Sequence, residues 1–126
     1  MTPDEAAERI MFHAEPQSGA FLYMLRPYRG VRDEVLRDVM AALEVCAPRL
    51  REEQISRELV SALWAISHFG RSWALHPGGM LRRNNLISDD DREKLDAFLE
   101  GFDLEVALLF DGVAEDDARS GDSDRG

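Results

Sequence analysis

Residues 52–75 read EEQISRELVSALWAISHFGRSWAL, and the spacing of the apolar residues in this stretch decides the fold. Those residues recur alternately every four and every three positions, which is the spacing of an apolar seam along one face of a helix. The stretch therefore predicts one long helix. It ends at His76-Pro77-Gly78-Gly79, because proline cannot continue a helix and glycine readily takes a positive φ. The seam consists of Ile55, Leu59, Ala62, Ile66, Phe69 and Trp73.

A second stripe runs along the same predicted helix, about 200° around the axis from the apolar seam and therefore on the opposite face. If this face is exposed, its aromatic and basic side chains would stack on and neutralise an anionic aromatic ligand, or bind an acidic partner. If the helix is packed on both sides, Trp64 would belong to the core and His68 would hydrogen bond to a neighbour. The stripe consists of Arg57, Ser61, Trp64, His68 and Arg71.

The rest of the chain also has helical patterns, so the sequence predicts an all-α fold. Thr2 and Pro3 mark the start of the first helix, and Pro48 marks a stop or a fresh start. Ser88 begins the last helix, in which Gly101 would mark a close helix crossing or a kink. The prediction is a small helical bundle of four main helices, at about 3–14, 31–47, 52–75 and 88–110, plus a short buried helix at about 20–26 that Ser18 would cap.

The charge of the chain is concentrated towards one end. Residues 1–87 contain 11 acidic and 11 basic residues, whereas residues 88–126 contain 14 acidic and 4 basic ones and so carry the whole formal charge of −10. We expect residues 1–112 to form a single helical domain, and residues 113–126 to form a disordered acidic tail. This charge disfavours duplex nucleic acid and anionic membranes as partners and favours a basic protein, although it would also simply keep a small protein soluble.

Composition also indicates where the protein works. No apolar run approaches the roughly 20 residues needed to span a membrane, and the first residues lack the basic and apolar regions of a secretory signal. Fourteen of the fifteen basic side chains are arginine, a bias typical of GC-rich bacterial genes. We therefore expect a bacterial cytoplasmic protein.

No acidic residue lies between Glu58 and Asp89, although 25 of the 126 residues are acidic. Such a window is either buried or faces something negative. Its glycines and adjacent arginines would suit a phosphate or carboxylate, unless the arginines pair with Asp89–Asp91 and only fix a loop at Met80–Ile87. The candidate binding residues are Trp64, His68, Arg71, His76, Arg82, Arg83, Asn84 and Asn85.

The sequence has no recognisable catalytic set, metal site or cofactor motif. Its three histidines lack the spacing of metal ligands. Cys46, the only cysteine, lies beside the apolar face of its predicted helix, where a small buried hydrophobic side chain is expected. We therefore expect no cofactor and no metal, and an enzyme of unrecognised type ranks third among the functions considered.

The function that these observations favour is a non-catalytic bacterial protein–protein interaction module, namely an inhibitor, immunity-type or regulatory protein. Its polarised charge would steer it to its partner. The alternative is a small-ligand binding module for an anionic metabolite or nucleotide, at the Trp64, His68 and Arg71 face and the 76–85 loop. The sequence is also compatible with a homodimer. A basic partner would meet the acidic face of the last helix at Asp96, Glu100 and Asp103.

Overall fold

A computed structural model describes residues 1–112 of the protein, so the predicted tail at 113–126 lies outside the described residues. Within residues 1–112 the chain is helical and has no strand, which confirms the predicted all-α bundle of four main helices with shorter ones between them. None of these helices is both long and apolar enough to cross a membrane. The helices are α1 (Pro3–His13), α2 (Phe21–Leu25), α3 (Asp33–Leu50), α4 (Arg57–Gly70), α5 (Met80–Arg83) and α6 (Asp89–Phe110), and a π-helical segment (Arg71–Leu75) continues α4.

The predicted starts of the first and last helices are confirmed by their hydrogen bonds. The Thr2 hydroxyl accepts from the Glu5 N–H at 3.1 Å, and the Glu5 carboxylate accepts from the Thr2 N–H at 2.8 Å. This reciprocal capping box satisfies two backbone donors that a helix start leaves free. At the start of α6, the Ser88 hydroxyl accepts from the Asp91 N–H at 3.1 Å.

Other predicted boundaries were wrong, for local reasons. The helix expected from residue 52 begins at Arg57, because the Ser56 hydroxyl caps it by accepting from the Leu59 N–H at 3.3 Å. Helix α3 continues past Pro48 to Leu50, since a proline in the last turn removes only one helix hydrogen bond. Ser18 does not cap α2, whose N-cap is Ala20 without a side-chain hydrogen bond.

The predicted apolar seam faces the core. Leu59, Ala62 and Ile66 are buried, and Phe69 and Trp73 are half-buried. Helix α1 packs mainly against α3 and α4, while α6 packs against α3, α4 and the π-helical segment. Cys46 is fully buried, as predicted, and burial raises the pKa of its thiol to about 11. Packing of this one seam therefore fixes how α4 is rotated within the bundle.

The glycine at a close helix contact is Gly70 rather than Gly101. A Cβ added to Gly70 would lie 3.1 Å from Leu99 Cδ1 and 3.4 Å from the Phe21 ring, so α4, α2 and α6 come together there. Gly101 is exposed with open space around its Cα, and α6 continues through it without interruption. The expectation of a close helix crossing at Gly101 was therefore wrong.

The two glycines should respond in opposite ways to alanine. Because Gly101 is exposed within a helix, Gly101→Ala should raise the free energy of unfolding by about 0.5–1 kcal/mol through helix propensity alone. Gly70→Ala should lower it, since the added methyl group would lie 3.1 Å from Leu99 Cδ1 in the closely packed core and would require that side chain to shift. Urea unfolding followed by circular dichroism measures both. A loss of stability in Gly101→Ala would show that α6 packs differently.

One polar side chain, His13, is buried in the bundle and joins three helices. Its Nδ1 accepts from the Phe21 N–H at 3.0 Å, so the proton of the neutral ring is on Nε2, which donates to Asp38 Oδ2 at 2.6 Å. Arg9 Nε donates to the same carboxylate oxygen at 2.6 Å. Burial lowers the pKa of His13 although Asp38 opposes this shift. A second proton would be on Nδ1 and would point at the Phe21 N–H, which is itself a donor. The folded state therefore favours the neutral ring.

The stability of the protein should therefore decrease in mild acid. His13 takes up a proton near pH 6.5 in the unfolded chain but only at lower pH in the folded one. The contribution of the neutral His13 ring to the free energy of unfolding is therefore complete above pH ~6.5 and is lost as the pH falls below that value. The loss is limited to about 1.4 kcal/mol per pH unit for one proton. Urea unfolding at a series of pH values measures it. His13→Gln should remove the slope that begins just below pH ~6.5, and His76→Gln, at an exposed histidine, should keep it.

Acid below pH ~4 should have a separate effect through Asp38. Partial burial opposes the shift, but hydrogen bonds from His13 and Arg9 lower the pKa of this carboxyl in the folded state. The contribution of the Asp38 carboxylate to stability is present above the unfolded pKa of about 3.9 and is lost as the pH falls through the folded pKa.

The prediction for His13 has its own contradicting outcome. If His13→Gln and the unaltered protein had the same dependence of stability on pH above pH ~4, the buried histidine would not be the group that titrates.

Candidate functional site

The stripe opposite the apolar seam faces outward. The Trp64 side chain is 57% exposed, and Arg57, Ser61 and His68 are exposed as well. The alternative in which Trp64 belongs to the core was therefore wrong. The acid-free window includes both environments, because Leu59, Ala62 and Ile66 are buried whereas Trp64 and His68 are exposed.

The stripe borders an open cavity of about 570 Å³ between the end of α4 and α6, which we name the Trp64 groove. Four of the eight candidate binding residues line it together, although they are spread over thirteen positions of the sequence. The acidic residue Asp96 enters from α6. The lining residues are Trp64, Ser67, His68, Arg71, Ser72, Leu75, His76 and Asp96.

A π-helical segment forms one wall of the Trp64 groove. The His76 N–H donates to the Arg71 carbonyl at 2.8 Å, five residues back rather than four, which widens the turn. The Arg82 guanidinium donates to the Leu75 carbonyl at 3.1 Å and so ties the end of this segment to α5. Short π-helical stretches within α-helices are frequent at functional sites.

Aromatic rings form the outer edge of the groove. The Trp64 and His68 rings are stacked, with centroids 4.4 Å apart and planes inclined by 10°. Phe69 packs edge-on against both, at 5.6 Å from Trp64 and 5.1 Å from His68. One face of the Trp64 ring is therefore covered by a neighbour, and its high exposure leaves the other face open to solvent.

The free charge in the groove is negative. Arg71 is already paired, because its guanidinium lies 2.7 Å from Asp103 and donates to the Ser67 hydroxyl at 2.8 Å. His76 Nδ1 accepts from the Gly78 N–H at 3.0 Å. No hydrogen bond or ion pair engages the Asp96 carboxylate within residues 1–112. The groove thus offers an unpaired carboxylate beside an exposed aromatic ring.

The remaining candidate residues, from Arg82 to Asn85, do not line this groove. The segment expected as a loop contains α5, in which Arg82 supports the π-helical segment, and Arg83 is exposed. The Asn84 amide donates to the Met80 carbonyl at 2.9 Å, and Asn85 has a positive φ of 55°. Leu81 is fully buried, whereas Leu86 is 51% exposed.

The expected pairing of Arg82 and Arg83 with Asp89–Asp91 does not occur within the described part of the chain. Asp89 instead lies 3.2 Å from Arg92. Asp91 accepts from the Tyr28 hydroxyl at 2.5 Å, and burial together with this carboxylate raises the pKa of Tyr28. These contacts fix the start of α6 without the two arginines.

Comparison of the chain with protein-family models, with curated proteins and with solved structures finds no match in any of the three. The geometry and chemistry of the Trp64 groove are therefore the basis on which a function can be assigned.

The wall of the Trp64 groove should depend on the absence of a side chain at Gly79. A Cβ there would overlap the Ser72 carbonyl oxygen and lie 3.0–3.1 Å from the carbonyl oxygens of His76 and Trp73, all of them backbone atoms. Gly79→Ala should therefore lower the free energy of unfolding by about 1–3 kcal/mol. Gly78→Ala is the matched control, because its Cβ would meet only the His76 ring at 3.4 Å. Equal effects of the two substitutions in thermal unfolding would contradict this packing.

Proposed function

We propose that this protein is a non-catalytic interaction module that binds a segment of another protein in the Trp64 groove. The segment would carry an arginine or lysine next to an apolar residue. The proposal is based on one observation above all: a tryptophan that is more than half exposed lies in the same groove as an unpaired carboxylate, Asp96.

Exposure of Trp64 favours a protein partner. Tryptophan is enriched among the residues that contribute most to protein–protein binding, because it buries a large rigid surface at little entropic cost. Val60 lies one helical turn before Trp64 and is 37% exposed, so the apolar surface continues along α4. A partner would remove both side chains from water.

The charges favour a basic partner. A cation placed over the open face of Trp64 would be attracted by the ring and could pair with Asp96 in the same groove. Glu100 follows Asp96 by one turn of α6 and is exposed, which extends the negative surface. Burial of such a contact would give the pair more strength than a solvent-exposed ion pair has.

The same charges weigh against the alternative of an anionic metabolite or nucleotide. Arg71 is the arginine that lines the groove, and Asp103 already neutralises it. Asp96 would repel a phosphate or carboxylate in the same groove. Arg82 and Arg83, the other expected anion contacts, lie outside the groove lining.

The arrangement of the serines and histidines favours binding over catalysis. Serine nucleophiles are activated by a hydrogen bond to a base that a third group orients. Within residues 1–112, no hydrogen bond joins Ser67 or Ser72 to either histidine of the groove; Ser67 accepts from Arg71, and His76 accepts from Gly78.

Selection of peptides from a random library displayed on phage tests this proposal. Peptides retained by the unaltered protein should combine arginine or lysine with an apolar residue. Trp64→Ala and Asp96→Asn should each weaken their binding by about tenfold or more, and added salt should weaken it further. Asp90→Asn is the matched control, because it removes an exposed acid of α6 that does not line the groove.

Two results would contradict the proposal. Enrichment of acidic peptides that still bind Asp96→Asn would favour the anionic-ligand alternative. Enrichment of peptides that bind Trp64→Ala as tightly as the unaltered protein would place the interaction elsewhere on the molecule. Circular dichroism of each variant distinguishes lost binding from lost folding.

A further inference from the structure

A second cavity, of about 540 Å³, lies between the end of α4 and α2, and we name it the Trp73 groove. Its apolar lining includes Leu22, Phe69 and Trp73, and the last two rings stack on each other with centroids 5.0 Å apart. Pro16 and Pro27 also line it. It shares no lining residue with the Trp64 groove, so it is a separate place on the surface. Trp73 belongs to the apolar seam but is only half-buried, because it lines this cavity.

An arginine with free donors lies at the Trp73 groove. The Arg26 guanidinium carbon is 5.2 Å from the centroid of the Trp73 ring, which holds the cation over the aromatic surface. Within residues 1–112, no hydrogen bond or ion pair engages Arg26. Its five N–H donors therefore remain available to a ligand.

The neighbouring Arg29 shows what an arginine with a structural role does in the same turn. Its guanidinium donates to the carbonyls of Tyr23 at 2.5 Å and Pro27 at 2.9 Å, and it lies 3.7 Å from the Tyr23 ring centroid. Those contacts fix the chain between α2 and α3. Arg26 also lies over an aromatic ring but makes no hydrogen bond within residues 1–112, so its donors have no structural role there.

We propose that the Trp73 groove binds an amphipathic organic monoanion, whose apolar body packs against Leu22, Phe69 and Trp73 and whose carboxylate pairs with Arg26. The planar guanidinium presents paired N–H groups that match the two oxygens of a carboxylate. Tyr23 also lines the groove, and its hydroxyl has no hydrogen-bond partner within the described residues, so it would supply a further donor. Pockets of this kind combine a mostly apolar lining with a few placed polar groups.

Glu15 limits the charge of the ligand. Its carboxylate lines the same groove and accepts from the side-chain amide of Gln17. A second negative charge on the ligand would be repelled by this carboxylate, whereas a single one can pair with Arg26. The preference for a monoanion is opposite to that of the Trp64 groove, which favours a cation, so the two proposals are independent.

Heteronuclear NMR titration with naphthoate, and with the neutral naphthamide as its uncharged match, tests this inference. The chain has two indole N–H signals, which Trp64→Phe assigns. Naphthoate should shift the Trp73 signal until the signal saturates. Its dissociation constant should be about tenfold lower than that of naphthamide. Arg26→Gln should abolish the difference between the two probes. Arg83→Gln, at an exposed arginine outside the groove, should preserve it.

Three outcomes would overturn the inference. They are equal affinity for the two probes, unchanged naphthoate binding to Arg26→Gln, and a shift confined to the Trp64 signal. The first two do not bear on peptide binding at Trp64 and Asp96. The third would also favour the anionic-ligand alternative at Trp64, which the peptide selection tests separately, so the two failures are distinguishable.

Discussion

Burial of the apolar seam of α4 is the constraint on which the rest of the structure depends. Because Leu59, Ala62 and Ile66 must face the core, the opposite stripe has to face solvent, whatever its composition. A bundle that rotated α4 by half a turn would bury Trp64 but would also bury Arg57 and Arg71 and expose three aliphatic side chains. The cost of unpaired buried charge excludes that arrangement. Exposure of Trp64 is thus a direct consequence of how the core is packed.

The seam also explains how much of the site could be predicted. The positions of Trp64, His68 and Arg71 on one face follow from helical periodicity, which is a local property of the sequence. Asp96 and Asp103 join them only through the packing of α6 against α4, and periodicity does not specify which faces of two helices meet. Sequence reasoning placed these acids on a separate surface for that reason, although Asp103 pairs with Arg71.

The π-helical segment could not have been predicted from residues 71–75 alone. The sequence indicates a helix as far as Leu75, and the chain is helical there, but the hydrogen-bond register changes at Arg71. What accompanies that change comes from further along the chain, where Gly79 packs on the Ser72 carbonyl and Arg82 binds the Leu75 carbonyl. Proximity in sequence likewise suggested that Arg82 would pair with Asp89–Asp91. Asp91 instead accepts a hydrogen bond from Tyr28, which lies more than sixty residues earlier in the chain. Tertiary contacts decided both points.

The two grooves show why net charge is a poor guide to what this protein binds. The formal charge of −10 belongs to residues 88–126, and residues 1–87 sum to zero. Yet what each groove offers to a ligand depends on which charges the fold leaves unpaired. Arg71 is cationic but is neutralised by Asp103, so the groove beside it is governed by Asp96. Arg26 belongs to the half of the chain without net charge, yet its donors are free over an aromatic surface. Since a paired charge is already partly neutralised, the unpaired groups are the ones on which the proposed preferences rest, for a cation at Trp64 and for an anion at Trp73.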